Sequence, residues 1–132
     1  MSAVVNWLRT IGALYGVTPY LDLTADDTVT QIKAGQGKLY LLTISNPNVT
    51  DVWVQLFDAT KVAVDIAGLG TQVPTLSFCI PAGDGVNHTV WSPIEMPVSP
   101  VRFQTAITYA VTTTVNGAVA PAAPVVLNAL YI

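Results

Sequence analysis

Alternating hydrophobic and polar positions recur along most of the chain and predict β-strands. In the segment 52–57, for example, Val52, Val54 and Leu56 share one face of a strand, because side chains of a strand alternate in direction. No segment after residue 25 has the spacing of a convincing helix. The pattern predicts strands over residues 28–33, 38–45, 52–57, 61–66, 76–80, 88–91, 102–108, 109–115 and 125–131.

Turn-forming residues separate these segments and favour antiparallel pairing. Asn46-Pro47-Asn48 ends the second predicted strand, and Asn116-Gly117 is the dipeptide that most strongly predicts a β-hairpin. Short strands with this spacing are typical of a sandwich or barrel. We therefore predict an all-β fold, an antiparallel β-sandwich of about eight strands that is jelly-roll-like. An immunoglobulin-like sandwich is the alternative, although the chain lacks that fold's Cys–Trp–Cys pattern.

The first part of the chain differs from the rest and is predicted to be an arm. Its apolar residues include a set at helical spacing, but two glycines weaken any helix there. We expect an extended or partly helical N-terminal arm over residues 1–27 and a β-sandwich domain over residues 28–132. The arm is predicted to dock, on its own domain or on a neighbour, through Trp7, Leu8, Ile11 and Tyr15.

Charged residues are scarce and unevenly distributed. They make up 10% of the chain, and none lies between Phe103 and Ile132, whereas soluble domains average about 25%. Polar residues and prolines interrupt the uncharged segment, so it is not a transmembrane span. The five basic residues are dispersed, which argues against direct binding of nucleic acid. So little charge favours contact with other protein surfaces.

The uncharged segment supplies the second set of candidate contact residues. Strands at the edge of a sheet usually carry Lys or Glu, and this segment has neither. We interpret its apolar residues as packing either between subunits or in the core of the chain itself. They are Tyr109, Val111, Val125, Leu127 and Tyr131.

Residues for catalysis or metal binding are sparse. His88 is the only histidine, and Ser92 and Asp84 are its candidate partners in a catalytic relay. The sequence contains no G-x-S-x-G motif that would supply a nucleophilic serine. Cys79 is the only cysteine, expected to be buried in a strand. The acidic residues Asp22, Asp26 and Asp27 lack the spacing of a calcium loop. We therefore expect no enzyme activity, no cofactor and no metal. The N-terminus lacks the pattern of a cleavable signal peptide, so we expect synthesis in the cytoplasm.

Several segments together resemble a family of small structural proteins encoded in tailed-phage genomes. The run Gly37–Asn46 (GKLYLLTISN) matches that family's strand ending in Ser-Asn. It is followed by VQLFDAT at 54–60, ITYAVTTT at 107–114 and a final apolar strand that ends near Tyr131. The resemblance covers about residues 28–132.

The resemblance implies a virion protein without catalytic residues. It implies a capsid decoration (cement) protein on the capsid exterior, often a homotrimer, with the major capsid protein or another virion protein as partner and no contact with nucleic acid or membrane. A tail-fibre or baseplate module is the nearest alternative. A different class is a carbohydrate-binding sandwich with an aromatic platform of Trp53, Trp91 and Tyr20. An enzyme that depends on His88 is the third.

Overall fold

The computed structural model describes residues 16–95 and 100–132, which form nine strands and one short helix. The helix α1 spans Lys61–Ala67. The strands are β1 Thr18–Ala25, β2 Thr30–Ala34, β3 Gly37–Asn46, β4 Val52–Phe57, β5 Leu76–Ile80, β6 Thr89–Ile94, β7 Val101–Phe103, β8 Ala106–Thr112 and β9 Val125–Tyr131.

The strands form two antiparallel sheets. The first has the order β1-β9-β3-β6, and the second has the order β2-β8-β4-β5. Strand β7 also pairs with β3, at Gly37–Leu39, whereas β6 pairs with β3 between Leu42 and Asn46. Strands β6 and β7 therefore occupy one edge position in succession, which leaves eight strand positions in all. This arrangement is the jelly-roll sandwich that the sequence predicted.

The main core lies between the two sheets. Each strand turns one row of side chains inward, as the period of two requires. The burial of these side chains is the largest favourable contribution to folding. The core residues are Ala25, Ile32, Leu39, Leu42, Ile44, Val52, Val54, Leu56, Ile80, Ile94, Phe103, Ile107, Tyr109, Val111, Val125, Leu127 and Ala129.

The segment 61–66, predicted as a strand from its alternating valines, is helix α1 instead. Thr60 caps its N-terminus by accepting a hydrogen bond from the N–H of Ala63 at 3.2 Å. Gly68 ends it with a φ of 84°. Only Val64 of the helix is buried, in a small second-sheet cluster with Phe57 and Ala110. The prediction was wrong because end caps decided the conformation of a segment too short for a clear helical period.

The predicted hairpin at Asn116-Gly117 is also absent. Strand β8 belongs to the second sheet and β9 to the first, so the two do not pair with each other. The connection between them folds on itself, with the N–H of Thr113 bonded to the carbonyl of Val119 at 3.0 Å. The segment 102–115, predicted as two strands, is β7 followed by β8. The Asn-Gly signal was local, whereas sheet membership is decided by distant strands.

The sandwich extends further toward the N-terminus than the predicted boundary at residue 28. Strand β1, Thr18–Ala25, pairs along its length with β9. Part of the predicted arm is thus the edge strand of the first sheet. Trp7, Leu8, Ile11 and Tyr15 lie outside the described residues.

Asp58 joins the end of β4 to the turn between β7 and β8. Its carboxylate accepts hydrogen bonds from the N–H groups of Gln104 at 3.0 Å, Thr105 at 2.7 Å and Ala106 at 3.4 Å. Burial alone would raise its pKa, but these three bonds outweigh it, and the pKa of Asp58 lies below its ordinary value. Asp58 is therefore a carboxylate that binds turn amides.

We expect Asp58→Asn to lower the free energy of unfolding at neutral pH by about 1 kcal/mol. Because the folded-state pKa is lowered, the contribution is present above the unfolded pKa of about 3.9 and is lost as pH falls through the folded value. Urea unfolding at neutral pH and near pH 2.5 tests this. Asp65→Asn, in an exposed ion pair with Lys61, is the control, with an effect below about 0.5 kcal/mol. A deficit in Asp58→Asn that persists at low pH would contradict the assignment.

Candidate functional site

The residues predicted for subunit contact from the uncharged segment lie inside the chain. Tyr109, Val111, Val125 and Leu127 are 0% exposed in the core between the sheets, and Tyr131 is half-buried against that core. A fully buried side chain cannot touch a neighbouring subunit. For these four residues the subunit-contact interpretation is corrected, and core packing holds.

The segment from Phe103 to Ile132 lacks charged residues because its strands are also buried inside the sandwich. Strand β8 lies between β2 and β4, and β9 lies between β1 and β3, so both are interior strands. Every residue of β8 is buried, because helix α1 covers part of its outer face. Interior strands carry no protective charge because they have no free edge. The missing charge therefore does not mark these strands as a contact surface.

The structure places an uncharged free edge elsewhere, at β6. Among the described residues this strand pairs with β3 alone, and its sequence TVWSPI contains no charged residue. Val90 is 60% exposed and Trp91 is 51% exposed. An edge with unpaired backbone groups, apolar side chains and no charge is suited to contact with another chain.

Two loops extend this apolar edge. Val49, in the loop between β3 and β4, is 70% exposed, and Val86, in the loop between β5 and β6, is 84% exposed. The loops touch, since a Cβ built on Gly85 would lie 3.5 Å from a methyl of Val49. We call Val49, Val86, Val90 and Trp91 the β6 surface. Val90 and Trp91 are adjacent in the strand and face opposite sides of it, so this surface wraps around the edge. It cannot be found from the sequence, because only the strand order shows that β6 is at an edge.

Two buried asparagines hold the loops of the β6 surface in place. The Asn46 amide donates to the carbonyls of Thr50 at 3.2 Å and Pro81 at 3.0 Å, and its oxygen accepts from the N–H of Asn48 at 2.9 Å. Asn48 in turn exchanges hydrogen bonds with the backbone of Ala123 at 2.9 and 2.7 Å. These bonds connect three loops at one end of the sandwich, so the surface is preorganised.

A glycine allows the closest of these contacts. A Cβ built on Gly83 would lie 2.6 Å from the carbonyl oxygens of both Asn46 and Asn87. Backbone atoms on both sides leave no room for a larger residue. The N–H of Gly83 also donates to the carbonyl of Asn48 at 2.7 Å. The loop between β5 and β6 is therefore packed directly against the end of β3.

The candidate catalytic residues do not form a relay. The ring of exposed His88 bonds through Nδ1 to the hydroxyl of Ser45 at 2.8 Å, while Ser92 bonds to Thr43 at 2.9 Å. The Asp84 carboxylate accepts from the N–H of Val86 at 2.8 Å and bonds the backbone and side chain of Asn87. Histidine, serine and aspartate thus have three separate sets of partners, and the geometry of a triad is not present in the described chain.

The cysteine and the acidic residues do not form a reactive or metal-binding group either. Cys79 is half-buried; burial first, and then the Asp51 carboxylate, raise the pKa of its thiol, which opposes thiolate formation. Asp22 and Asp26 accept the N–H groups two residues ahead at 2.9 Å. Within residues 16–95 and 100–132, no three His, Cys, Asp or Glu side chains are placed to hold a metal ion.

The proposed aromatic platform is dispersed over the fold. Trp53 is on β4 in the second sheet, whereas Trp91 is on β6 in the first. Tyr20 turns inward, where its hydroxyl lies 2.9 Å from that of Tyr109. Three aromatic rings on different parts of the sandwich do not make one flat sugar-binding face. In the part of the chain that the structure describes, no helix is both long and apolar enough to span a bilayer.

Comparisons with known proteins identify no family. No protein-family model matches the chain, and none of the curated proteins matches it either. Among solved structures, the chain is similar to one in the cryo-EM structure of the virus-like particle of extra small virus of the giant freshwater prawn Macrobrachium rosenbergii. The identity is 12%, the match covers 87% of this chain and 74% of that one, and the TM-score is 0.39. At these values the likeness carries no argument about function.

Proposed function

We propose that this chain is a non-enzymatic structural protein of a tailed-phage virion. The most specific form of the proposal is a capsid decoration (cement) protein on the capsid exterior, made in the host cytoplasm. It acts as a homotrimer that binds the major capsid protein. The sequence resemblance over residues 28–132 supports the phage assignment, and the jelly roll is a fold that capsid proteins commonly use.

The β6 surface is the structural observation that carries the proposal. Val90 and Trp91 lie on opposite sides of the edge strand, Val49 and Val86 lie in the adjoining loops, and all four are at least 51% exposed. Buried asparagines hold the loops in place. A preorganised surface of this kind loses little conformational entropy when it binds. Several such contacts from one trimer add through effective concentration, so a shell is stiffened without any chemistry.

A direct test is to purify particles from infected cells and look for the chain by mass spectrometry and cryo-electron microscopy. The proposal expects a stoichiometric component with density on the outside of the head. Density at the tail would favour the fibre or baseplate alternative. Absence of the chain from purified particles would overturn the virion role.

We expect Val90→Asp to weaken attachment to particles at least about tenfold, because the new carboxylate is left unpaired in an apolar contact. Its effect on the free energy of unfolding should stay within about 0.5 kcal/mol, since Val90 is a surface residue. Val62→Asp on α1 is the matched control, because Val62 is 66% exposed and Val90 is 60% exposed. Particle occupancy after mixing purified protein with undecorated shells measures both. Equal loss in the two variants would exclude the β6 surface as the contact.

A further inference from the structure

Three of the five basic residues of the chain line a single cavity. The cavity has a volume of about 480 Å³ and lies between the turn that joins β2 to β3 and the strand β7. Lys33, Lys38 and Arg102 line it, together with Gln36 and Gln104. Basic residues that are scattered in the sequence are therefore gathered by the fold.

The backbone arrangement explains how these side chains meet. Lys38 and Arg102 are direct cross-strand partners in the pairing of β3 with β7, so they occupy the same face of the first sheet. The Lys33 side chain lies against Gly37: a Cβ built on Gly37 would be 2.9 Å from the Cδ of Lys33. The same Cβ would lie 2.9 Å from the carbonyl oxygen of Ile132. Glycine at position 37 is thus a requirement of the cavity wall.

Within residues 16–95 and 100–132, no Asp or Glu side chain forms an ion pair with these three cations. All eight Asp and Glu residues are among the described ones, since segments 1–15 and 96–99 contain none. The single ion pair among the described residues joins Lys61 and Asp65, at 2.6 Å. The main chain of Ile132, the last residue of the sequence, also lines the cavity, but the three cations outnumber its carboxylate, and the excess positive charge attracts anions. An arginine and two lysines with neighbouring amide donors are suited to bind carboxylates.

The opposite end of the sandwich carries the complementary charge. Strand β3 starts beside the cavity and ends at Asn46, where the loops β1–β2, β3–β4 and β5–β6 lie. These loops contain Asp26, Asp27, Asp51 and Asp84 but no Lys or Arg. Hydrogen bonds from Asn87 and Val86 lower the pKa of the Asp84 carboxyl, so it stays ionised. The loops at this end are therefore acidic, whereas the cavity end carries Lys33, Lys38 and Arg102 together with the Asp58 carboxylate, which accepts the N–H of Gln104.

We propose that the basic cavity binds carboxylates from the acidic loops of a second copy, so that copies associate head to tail. This inference deepens the proposed function and rests on it. A head-to-tail contact uses two different surfaces and closes into a ring when the rotation between copies allows it. Such a ring is compatible with a trimer. The contact is electrostatic and is thus separate from the apolar β6 surface.

Sedimentation velocity of the full chain at about 0.1 M and about 1 M salt tests the inference, because the Debye length falls from about 10 Å to about 3 Å. We expect self-association to weaken at least about tenfold at high salt. The double variant Lys38→Glu/Arg102→Glu and the double variant Asp27→Lys/Asp51→Lys should each lose association at least about tenfold at low salt. An equimolar mixture of the two should regain it. The control Lys61→Glu, outside the cavity, should associate as the unmodified chain does.

A second measurement does not depend on charge reversal. Malonate titrated into the unmodified chain should shift the amide resonances of Gly37, Lys38 and Arg102, and Arg102→Gln should abolish the shift. A mixture that stays monomeric, an unmodified chain that is monomeric at both ionic strengths, or no malonate response would each overturn the inference. Binding of an oligonucleotide is measured with the same variants. If Lys38→Glu/Arg102→Glu loses oligonucleotide binding but keeps self-association, the cavity binds nucleic-acid phosphate and the inference is overturned as well.

Failure of this inference and failure of the proposed function are distinguishable. If assembly does not depend on salt and the Lys38→Glu/Arg102→Glu variant still attaches to particles, the head-to-tail contact is wrong but the virion role stands. Salt-dependent association of a chain that is absent from purified particles would have the opposite meaning.

Discussion

Asn46→Ala is expected to lower the free energy of unfolding by about 3 kcal/mol, one of the two largest effects that the structure predicts. Asn46 is 0% exposed, and its amide satisfies the carbonyls of Thr50 and Pro81. Its oxygen accepts both the N–H of Asn48 at 2.9 Å and the side-chain amide of Asn48 at 3.0 Å. Alanine leaves these groups without partners in a buried place, and each costs about 1–3 kcal/mol.

Urea unfolding of Asn46→Ala beside Asn116→Ala measures this. Asn116 is exposed in the loop between β8 and β9, so its removal should change the free energy of unfolding by no more than about 0.5 kcal/mol. Because Asn46 also positions the loops of the β6 surface, the folded fraction of Asn46→Ala should attach to particles more weakly than the unmodified chain. Equal stability of the two variants would show that the buried network contributes little.

Tyr109→Phe is expected to cost about 2 kcal/mol, the range of a hydrogen bond to a charged group. The Tyr109 hydroxyl donates to the Asp22 carboxylate and lies 2.9 Å from the Tyr20 hydroxyl. Tyr20 also meets the Tyr109 ring edge-on, with 6.0 Å between ring centres. Burial first, and then the bonds to Asp22 and Tyr20, raise the pKa of Tyr109, so its hydroxyl remains a donor.

This contact ties β1 of the first sheet to β8 of the second, so its loss should free the β1 edge. Tyr131→Phe is the matched control, because Tyr131 is a half-buried tyrosine on the neighbouring strand β9 whose hydroxyl has no hydrogen-bond partner among the described residues. We expect the control to stay within about 0.5 kcal/mol. Hydrogen exchange of β1 amides should rise in Tyr109→Phe alone. Unchanged β1 exchange would contradict the proposed role of the contact.

Local patterns were sufficient for the strands whose alternation is clear. The predicted bounds of β4, β5 and β9 agree with the structure, and β3 differs by one residue at each end. These segments have apolar residues on the inward face and definite turn residues at their ends. The position of Asp58 directly after β4 is also one where an aspartate is a common partner for turn amides.

Local patterns failed where an end cap or a distant strand decided the outcome. Thr60 and Gly68 made a helix of a segment whose valines alternate. The Asn116-Gly117 dipeptide predicts a hairpin, but its flanking strands pair elsewhere. Cys79 was expected to be buried, yet it is half-buried, because it lies on the outer face of the edge strand β5.

The sequence by itself determined the class of the fold, most of its strands and its poverty of charge. Those properties depend on neighbouring residues, whose alternation and turns can be read along the chain. The tertiary structure alone decided which strands are interior and which are edges. It placed the uncharged C-terminal strands inside the sheets, left β6 as an uncharged edge, and brought Lys33, Lys38 and Arg102 to one cavity. Strand order is set by contacts between residues far apart in sequence, and no local pattern records it.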